Sequence, residues 1–373
     1  ISPSYLVICI MRLIQGVAMG LVFTVVPIYL GEISSPCQRG SITGLFSAAW
    51  FLGYLLEYCV GPYLSYIAYT VLTASVSIIF TITFISQPES PYYLLTVGRA
   101  DEALLTLRRL RKGCSEESIT REYDNMKESV KEDSSTATSW NDLIATPADR
   151  RALVIIFLIG GTRILSGAMA VMSYSTELFK EAGIKALSPD VLTICLGFAF
   201  LFGGLVNAFV VDQVGRRPLI FISCAGSFVS LLTVSVYFYL RKSPSLDVTP
   251  YSWVVPLGVI MYCVFSVVGI YPVSMTYTSE LFTTRTRGRA ASLSSINLAI
   301  FSFICIELYQ YVGDNFGLDK VFFVFASICL SGAIALYFLA PETKGKTFTE
   351  IRADILHVKE RKQSIIVRED LYI

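Results

Sequence analysis

Residues that can form ion pairs recur in a duplicated pattern along this chain. A glutamate stands seven positions before an Arg-Gly pair twice, at Glu32 with Arg39 and at Glu280 with Arg287. Each set lies at the end of a hydrophobic stretch, where a carboxylate and a guanidinium half out of water gain more from pairing than exposed ions do. Such a pair can also separate and regain its hydration. The spacing therefore predicts reversible ion pairs at the ends of apolar helices.

A second pair of motifs follows the first at a similar offset. Pro88-Glu89-Ser90 follows the Glu32 motif, and Pro341-Glu342-Thr343 follows the Glu280 motif. Self-similarity of this kind indicates an internal repeat, and parallel repeats build several transporter folds with the solute path between the halves. We therefore expect two related halves with charged hinges at one membrane face.

The second half carries one motif that the first half lacks. Asp212 to Arg216-Arg217 lies 68 residues before Glu280, and the equivalent place in the first half falls upstream of Ile1. The repeat therefore predicts that this sequence is a fragment, lacking three spans of a six-plus-six architecture.

Composition indicates a membrane protein. The chain is 54% hydrophobic and 16% charged, against about 25% charged residues in soluble domains. We expect a lipid bilayer as partner and, because the net charge is only +1, no nucleic acid. No cofactor and no metal are expected, since the nine cysteines show no paired spacing and His357 is the only histidine.

Segments of about 20 mostly apolar residues can cross a bilayer. Nine segments qualify: 5–30, 42–62, 64–86, 152–176, 190–211, 218–240, 252–275, 290–312 and 320–340. Lys and Arg concentrate in alternate connections, which places those connections in the cytoplasm. We predict a partial N-terminal bundle over 1–91, a cytoplasmic helical linker over 92–150, a six-helix bundle over 151–341 and a cytoplasmic tail over 342–373.

Six motifs occur in order, and together they resemble the sugar porters of the major facilitator superfamily, most closely the facilitative glucose and trehalose transporters. The motifs start at Arg12, Glu32, Pro88, Asp212, Glu280 and Pro341. The resemblance implies an all-α membrane protein with the major facilitator fold, nine of twelve transmembrane helices and a cytoplasmic helical insertion. It also implies a cytoplasmic gate of ion pairs that close in the outward-open state. Its members here are Glu32, Arg39, Glu89, Asp212, Arg216, Arg217, Glu280, Arg287 and Glu342.

The same resemblance assigns the substrate path, and this chain departs from the family there. Positions that carry amides or tryptophan in the family are occupied by Ser47, Arg163, Ile164, Met169, Phe200 and Met275. Asn297 stands one residue from a family asparagine, and Tyr174 retains half of an outer tyrosine pair. Unpaired sugar hydroxyls cost about 1–3 kcal/mol each, so this lining predicts weaker sugar binding than the family's amides would give.

Arg163 is the sharpest departure. A charge near the middle of a span costs about 2.5–3.5 kcal/mol and usually faces a cavity and a partner. Glu57 and Glu307 are the candidate partners in other spans. Two hypotheses stay open: Arg163 contacts an anionic or polar substrate, or an Arg163–Glu bridge plugs the path.

Function follows from the motifs and the resemblance. We expect a multi-pass plasma-membrane protein that transports a small solute, a hexose or a trehalose-like sugar, by facilitated alternating access. The alternatives are a non-transporting relative that acts as a sensor or scaffold, and a porter with a non-sugar substrate. Proton coupling stays undecided. An enzyme is disfavoured because the sequence has no nucleophile elbow or phosphate-binding glycine loop.

Overall fold

A computed structural model describes most of this chain. The described residues are 4–35, 39–135, 140–184, 186–244, 246–282, 284–344, 346 and 350–356. Within these ranges the side chains of 39–45, 47, 129, 132–135, 208–212, 284 and 285 are not described. The backbone falls into two compact units: Ile1–Trp50 with Val60–Thr138, and Phe51–Cys59 with Ser139–Ile373.

Helices make up the regular structure of both units over the described residues. The first six are α1 (Tyr5–Ile33), α2 (Arg39–Val60), α3 (Tyr66–Ile85), α4 (Pro91–Thr96), α5 (Ala100–Leu110) and α6 (Glu116–Ser135). The next four are α7 (Pro147–Leu165), α8 (Ala168–Ala182), α9 (Pro189–Val214) and α10 (Arg216–Arg241). The last four are α11 (Val254–Val268), α12 (Ile270–Glu280), α13 (Thr284–Phe316) and α14 (Leu318–Leu339). Residues 351–356 are helical as well.

Eight helical segments in the described part of the chain are long and apolar enough to cross a membrane. They match eight of the nine predicted spans. The remaining predicted span, 42–62, coincides with α2, whose first side chains lie outside the described residues. The all-helical membrane architecture predicted from the sequence is thus confirmed, whereas the four-part division into bundles, linker and tail stays a prediction.

Two of the spans are broken near their middle. The span Pro147–Ala182 breaks at Gly167, where φ is +104° and a Cβ atom would lie 2.5 Å from the Phe325 ring. Only glycine accepts both the left-handed backbone and that close approach. The span Thr249–Glu280 breaks at Gly269, where a Cβ atom would lie 2.3 Å from the Cβ of Ser223. Each long span therefore consists of two half-helices.

Serine side chains bond to the backbone groups that these breaks release. The Ser223 hydroxyl donates to the Phe265 carbonyl (2.7 Å) and accepts from the Ile270 amide (3.1 Å). At the other break, the Ser166 hydroxyl donates to the Arg163 carbonyl at 3.0 Å. Because an unpaired backbone group inside a bilayer costs several kcal/mol, these bonds make the broken spans tolerable.

The polar insertion in the first unit folds into short helices that bury a common apolar face. Leu107, Ile119 and Met126 form its core, which agrees with the helical spacing of apolar residues in the sequence. Cys114 lies exposed between α5 and α6. This packing gives the insertion a core of its own.

In the second unit α10 packs on α11 and α14, while α7 packs on α13 and α14. A cluster of buried apolar residues lies at one end of these helices and includes Leu219, Tyr277 and Leu336. Ile351 and Ile355 from the last helical segment belong to the same cluster. The C-terminal segment is therefore part of the unit's core.

Candidate functional site

Glu342 caps the start of α10 with its carboxylate. One oxygen accepts from the backbone N–H groups of Arg216 (3.1 Å), Thr343 and Lys344 (both 2.9 Å), and the other from Arg217 (3.0 Å). Burial by itself raises the pKa of Glu342, but these four donors outweigh it and the net pKa lies below the ordinary value of 4.5. The carboxylate also complements the positive end of the helix dipole.

Arg216 connects this cap to the end of α12. Its Nη2 atom lies 3.1 Å from Oε1 of Glu280, and the two side chains are only 13% and 25% exposed. Arg217 turns the other way, donating to the Tyr337 carbonyl at 2.7 Å, with its guanidinium 5.1 Å from the ring of Tyr337. Glu280, Arg216, Arg217 and Glu342, hereafter the charged cluster, therefore join the start of α10 to the ends of α12 and α14.

A second set of charges ties the start of α7 to the C-terminal segment. Thr146 and Asp149 form a capping box at the start of α7. Arg352 donates to Thr146 Oγ1 at 2.6 Å and lies 3.1 Å from an Asp149 oxygen. Arg151 in turn donates to the carbonyls of Ile355 and Leu356. Like the charged cluster, this set lies wholly within the second unit.

The remaining predicted gate residues do not belong to the charged cluster. Arg287 is exposed and forms no ion pair with any residue the structure describes. Glu32 and Glu89 lie in the first unit, half-buried and exposed respectively. The side chains of Arg39 and Asp212 lie outside the described residues.

Two arginines outside the sequence motifs make structural bonds, Arg111 from a buried position and Arg352 from a half-buried one. Arg111 donates to the carbonyls of Ile33 and Ser34, both at 2.9 Å, and pairs with Glu122 at 2.8 Å. It thus satisfies the C-terminal end of α1, where helices leave carbonyl groups unpaired. The other is Arg352, described above. Both stand in charge-rich segments, where a sequence offers no signal that separates a buried arginine from a solvated one.

Arg163 extends from α7 and is buried against α12. Its Nη1 atom donates to the Ser274 hydroxyl at 2.7 Å, and the guanidinium carbon lies 4.2 Å from the centre of the Tyr271 ring. The prediction of an ion pair with Glu57 or Glu307 is wrong, because both carboxylates are exposed and Arg163 pairs with neither. The Ser274 hydroxyl and the Tyr271 ring, both on α12, contact the guanidinium where a carboxylate was predicted.

Asn297 lies against the same stretch of α7. It is buried, and a Cβ atom on Gly160 would be 3.2 Å from its amide oxygen. Neither amide atom of Asn297 has a hydrogen-bond partner in the part of the chain that the structure describes. Gly160 and Arg163 are three residues apart on α7 and are therefore neighbours along the helix. Asn297, on α13, thus contacts α7 about one turn from Arg163.

The other predicted path residues fall into separate places. Tyr174 stacks on Tyr309 with ring centres 5.0 Å apart, and Phe200 stacks on Phe51 at 5.6 Å. Ile164 is fully buried, Met169 is half-buried and Met275 is exposed. The side chain of Ser47 lies outside the described residues. Among these predicted path residues, Arg163 and Asn297 lie at neighbouring turns of α7, since Asn297 is next to Gly160.

Residues 1–355 match the family described as Sugar (and other) transporter. The chain belongs to the sugar transporter family. The resemblance inferred from the motifs is thereby confirmed, as is the prediction of a transporter rather than an enzyme. Membership also agrees with a multi-pass protein in a lipid bilayer.

Relatives within the family carry transporter names. The chain is 27% identical over 356 residues to the facilitated trehalose transporter Tret1 of Bombyx mori, covering 95% of this chain and 69% of that protein. It is 29% identical over 362 residues to facilitated glucose transporter member 2 of Sus scrofa, covering 95% and 67%. Both alignments span nearly the whole of this chain.

Solved structures of similar fold include the proton:xylose symporter XylE of the major facilitator superfamily, bound to 6-bromo-6-deoxy-D-glucose. The TM-score is 0.71 at 22% identity, covering 92% of this chain and 73% of that one. XylE from E. coli in a partially occluded inward-open conformation matches with a TM-score of 0.73 at 20% identity, covering 91% and 72%. The predicted major facilitator fold is confirmed.

Proposed function

We propose that this chain is a facilitative sugar transporter of the plasma membrane that works by alternating access on a hexose or a trehalose-like sugar. Its family and the names of its relatives support the activity. The charged cluster is the observation that carries the mechanism, because it joins the ends of three spans through one ion pair and charge-assisted hydrogen bonds that are neither fully buried nor fully exposed.

The cluster acts as a gate element at the cytoplasmic end. A half-buried ion pair gives up part of its hydration and regains it when the helix ends separate, so its net strength is modest. Pairs of charges in contact have coupling free energies of about 0.5–3 kcal/mol, enough to bias two conformations of similar free energy. The Arg216–Glu280 pair is thus suited to setting how long one conformation persists.

Uptake into liposomes tests the proposed activity. The purified full chain would be reconstituted and given radiolabelled D-glucose or trehalose without a proton gradient. We expect saturable uptake that stops at the external concentration, together with faster exchange when unlabelled sugar is present inside. Protein that is monodisperse and reconstituted, yet gives no uptake above empty liposomes for either sugar, would refute the proposal.

A double-mutant cycle tests the gate element. We expect Arg216→Gln and Glu280→Gln each to change the exchange rate, and the double variant to differ from their sum because the two residues share one bond. Glu177→Gln is the matched control, since Glu177 is exposed and accepts no hydrogen bond from the residues described. Additive effects of the two substitutions would argue against the pair as a gate.

A further inference from the structure

Among the residues that the structure describes, none supplies Arg163 with a negative charge. Its side chain is 4% exposed, its contacts are a hydroxyl and an aromatic ring, and its Nε atom is buried without a hydrogen-bond partner among the described residues. A buried cation that lacks a counter-charge is strongly unfavourable, because a hydroxyl replaces only part of the lost hydration. The site is therefore left with a positive charge that no described residue balances.

Unused hydrogen-bond donors accompany this charge. The Asn297 amide is 3% exposed and bonds to no described residue, and its NH2 group can donate twice. Tyr271, whose ring covers the guanidinium, is half-buried and its hydroxyl makes no hydrogen bond within the described residues. Together Arg163, Tyr271 and Asn297, hereafter the donor set, offer a cation and donors with one amide oxygen as acceptor.

The start of α12 favours a negative charge next to Arg163 too. Arg163 lies in the last turn of α7, one turn before the break at Gly167, and Tyr271 occupies the first turn of α12, directly after the break at Gly269. Because α12 begins anew there, its positive dipole end lies in the turn that contacts Arg163. In broken membrane helices such ends face the anionic groups of substrates.

We infer that the donor set binds the carboxylate of an anionic sugar, such as a hexuronate, and that this chain prefers such a sugar to a neutral hexose. This deepens the proposed function and rests on it. A neutral sugar could use the donors but would leave the charge of Arg163 unbalanced. A carboxylate accepts from the guanidinium Nε, the Tyr271 hydroxyl and the Asn297 amide, and it balances the charge at the same time.

A pair of probes that differ only in charge tests this inference on the unaltered protein. D-Glucuronate and D-glucuronamide have nearly the same shape, and only the first carries a carboxylate at neutral pH. Uptake of radiolabelled D-glucuronate by the full chain in liposomes would be measured, together with D-glucose uptake and competition by each probe. We expect glucuronate to be taken up at least about tenfold more efficiently than glucose, about 1.4 kcal/mol, with glucuronamide competing as weakly as glucose.

Substitutions at Arg163 then assign the preference to this residue. Arg163→Gln removes the charge and should lower the glucuronate-to-glucose ratio to about one or below. Arg163→Lys keeps the charge and should retain a preference for glucuronate. If wild type takes up glucose and glucuronamide as efficiently as glucuronate, the inference is wrong while the proposed function stands.

Binding separates the inference from a failure of transport. If neither sugar enters the liposomes, the proposed function fails, and the thermal stability of the detergent-solubilised protein decides the inference. A melting temperature raised by glucuronate but not by glucuronamide would support it. Equal effects of the two probes, or no effect of either, would overturn it. The comparison needs no variant, so poor folding of Arg163→Gln cannot obscure the answer.

Discussion

Replacing Glu342 by glutamine should lower the free energy of unfolding by an amount that follows from the hydrogen bonds of its carboxylate. Glutamine has the same shape but one oxygen. With that oxygen in the place of Oε1, the bonds from Arg216, Thr343 and Lys344 are retained, while an amide NH2 group faces the Arg217 N–H that donated to Oε2. The substitution therefore removes one charge-assisted hydrogen bond and the negative charge at the start of α10.

These two losses set the expected cost. A hydrogen bond to a charged group contributes about 1.5–3 kcal/mol, and a charge at a helix N-terminus about 0.3–1 kcal/mol. We therefore expect Glu342→Gln to lower the free energy of unfolding by about 2–4 kcal/mol. The loss should be largest near neutral pH. Because the folded protein holds the pKa of Glu342 below 4.5, its stabilising contribution is present above that pH and disappears as the pH falls through the lowered value.

Reversible unfolding in mixed detergent–SDS micelles measures this difference. Wild type and Glu342→Gln would be compared at pH 7 and at a pH below the lowered pKa, with Glu177→Gln as the control for loss of one exposed carboxylate. The two proteins should converge in stability at the lower pH. A Glu342→Gln protein within about 0.5 kcal/mol of wild type at pH 7, the usual range for surface substitutions, would refute the capping argument.

Three further predictions concern other parts of the fold. Arg111→Met should destabilise the protein by about 2–4 kcal/mol in the same assay, because the carbonyls at the end of α1 and the partly buried Glu122 lose their partner. The control Arg109→Met, on an exposed face, should cost less than about 0.5 kcal/mol. Gly167→Ala should reduce the yield of monodisperse protein in size-exclusion chromatography, since its Cβ atom would lie 2.5 Å from the Phe325 ring. The control Gly288→Ala should behave as wild type, because a Cβ atom there would have no neighbouring atom within 4 Å. Asp149→Asn weakens both the cap of α7 and its bond to the C-terminal segment, and limited proteolysis should cut that segment faster; an unchanged rate would contradict this role.

Several features of this fold follow from the sequence pattern alone. Apolar length located the spans because a bilayer dictates that length. The repeat selected Glu280 and Glu342, and the family resemblance added Arg216, because charges at span ends must find partners near one another. It did not specify that Glu342 binds backbone N–H groups, because an arginine side chain and a helix N-terminus are equally good partners for a carboxylate.

Arg163 shows where such reasoning fails. One of the two hypotheses for Arg163 pairs it with a glutamate from another span, since a carboxylate is the usual partner of a buried arginine. Its partner, Ser274, lies 111 residues away on a half-helix that exists because the chain breaks at Gly269. The role of Arg111 could not be predicted for a related reason. Its burial depends on how α5 and α6 pack at the end of α1, and no local spacing in the sequence encodes that packing.

The placement of Cys114 makes the orientation of the chain accessible to chemistry. Among the cysteines that the structure describes, Cys114 is the one exposed outside the apolar spans. Cys9 and Cys195 lie on α1 and α9, Cys59 is half-buried on α2, and four others are buried. A thiol reagent that cannot cross lipid will therefore modify the Cys114 peptide from one compartment only. Mass spectrometry of that peptide in sealed vesicles, before and after permeabilisation, would report which compartment contains the polar insertion.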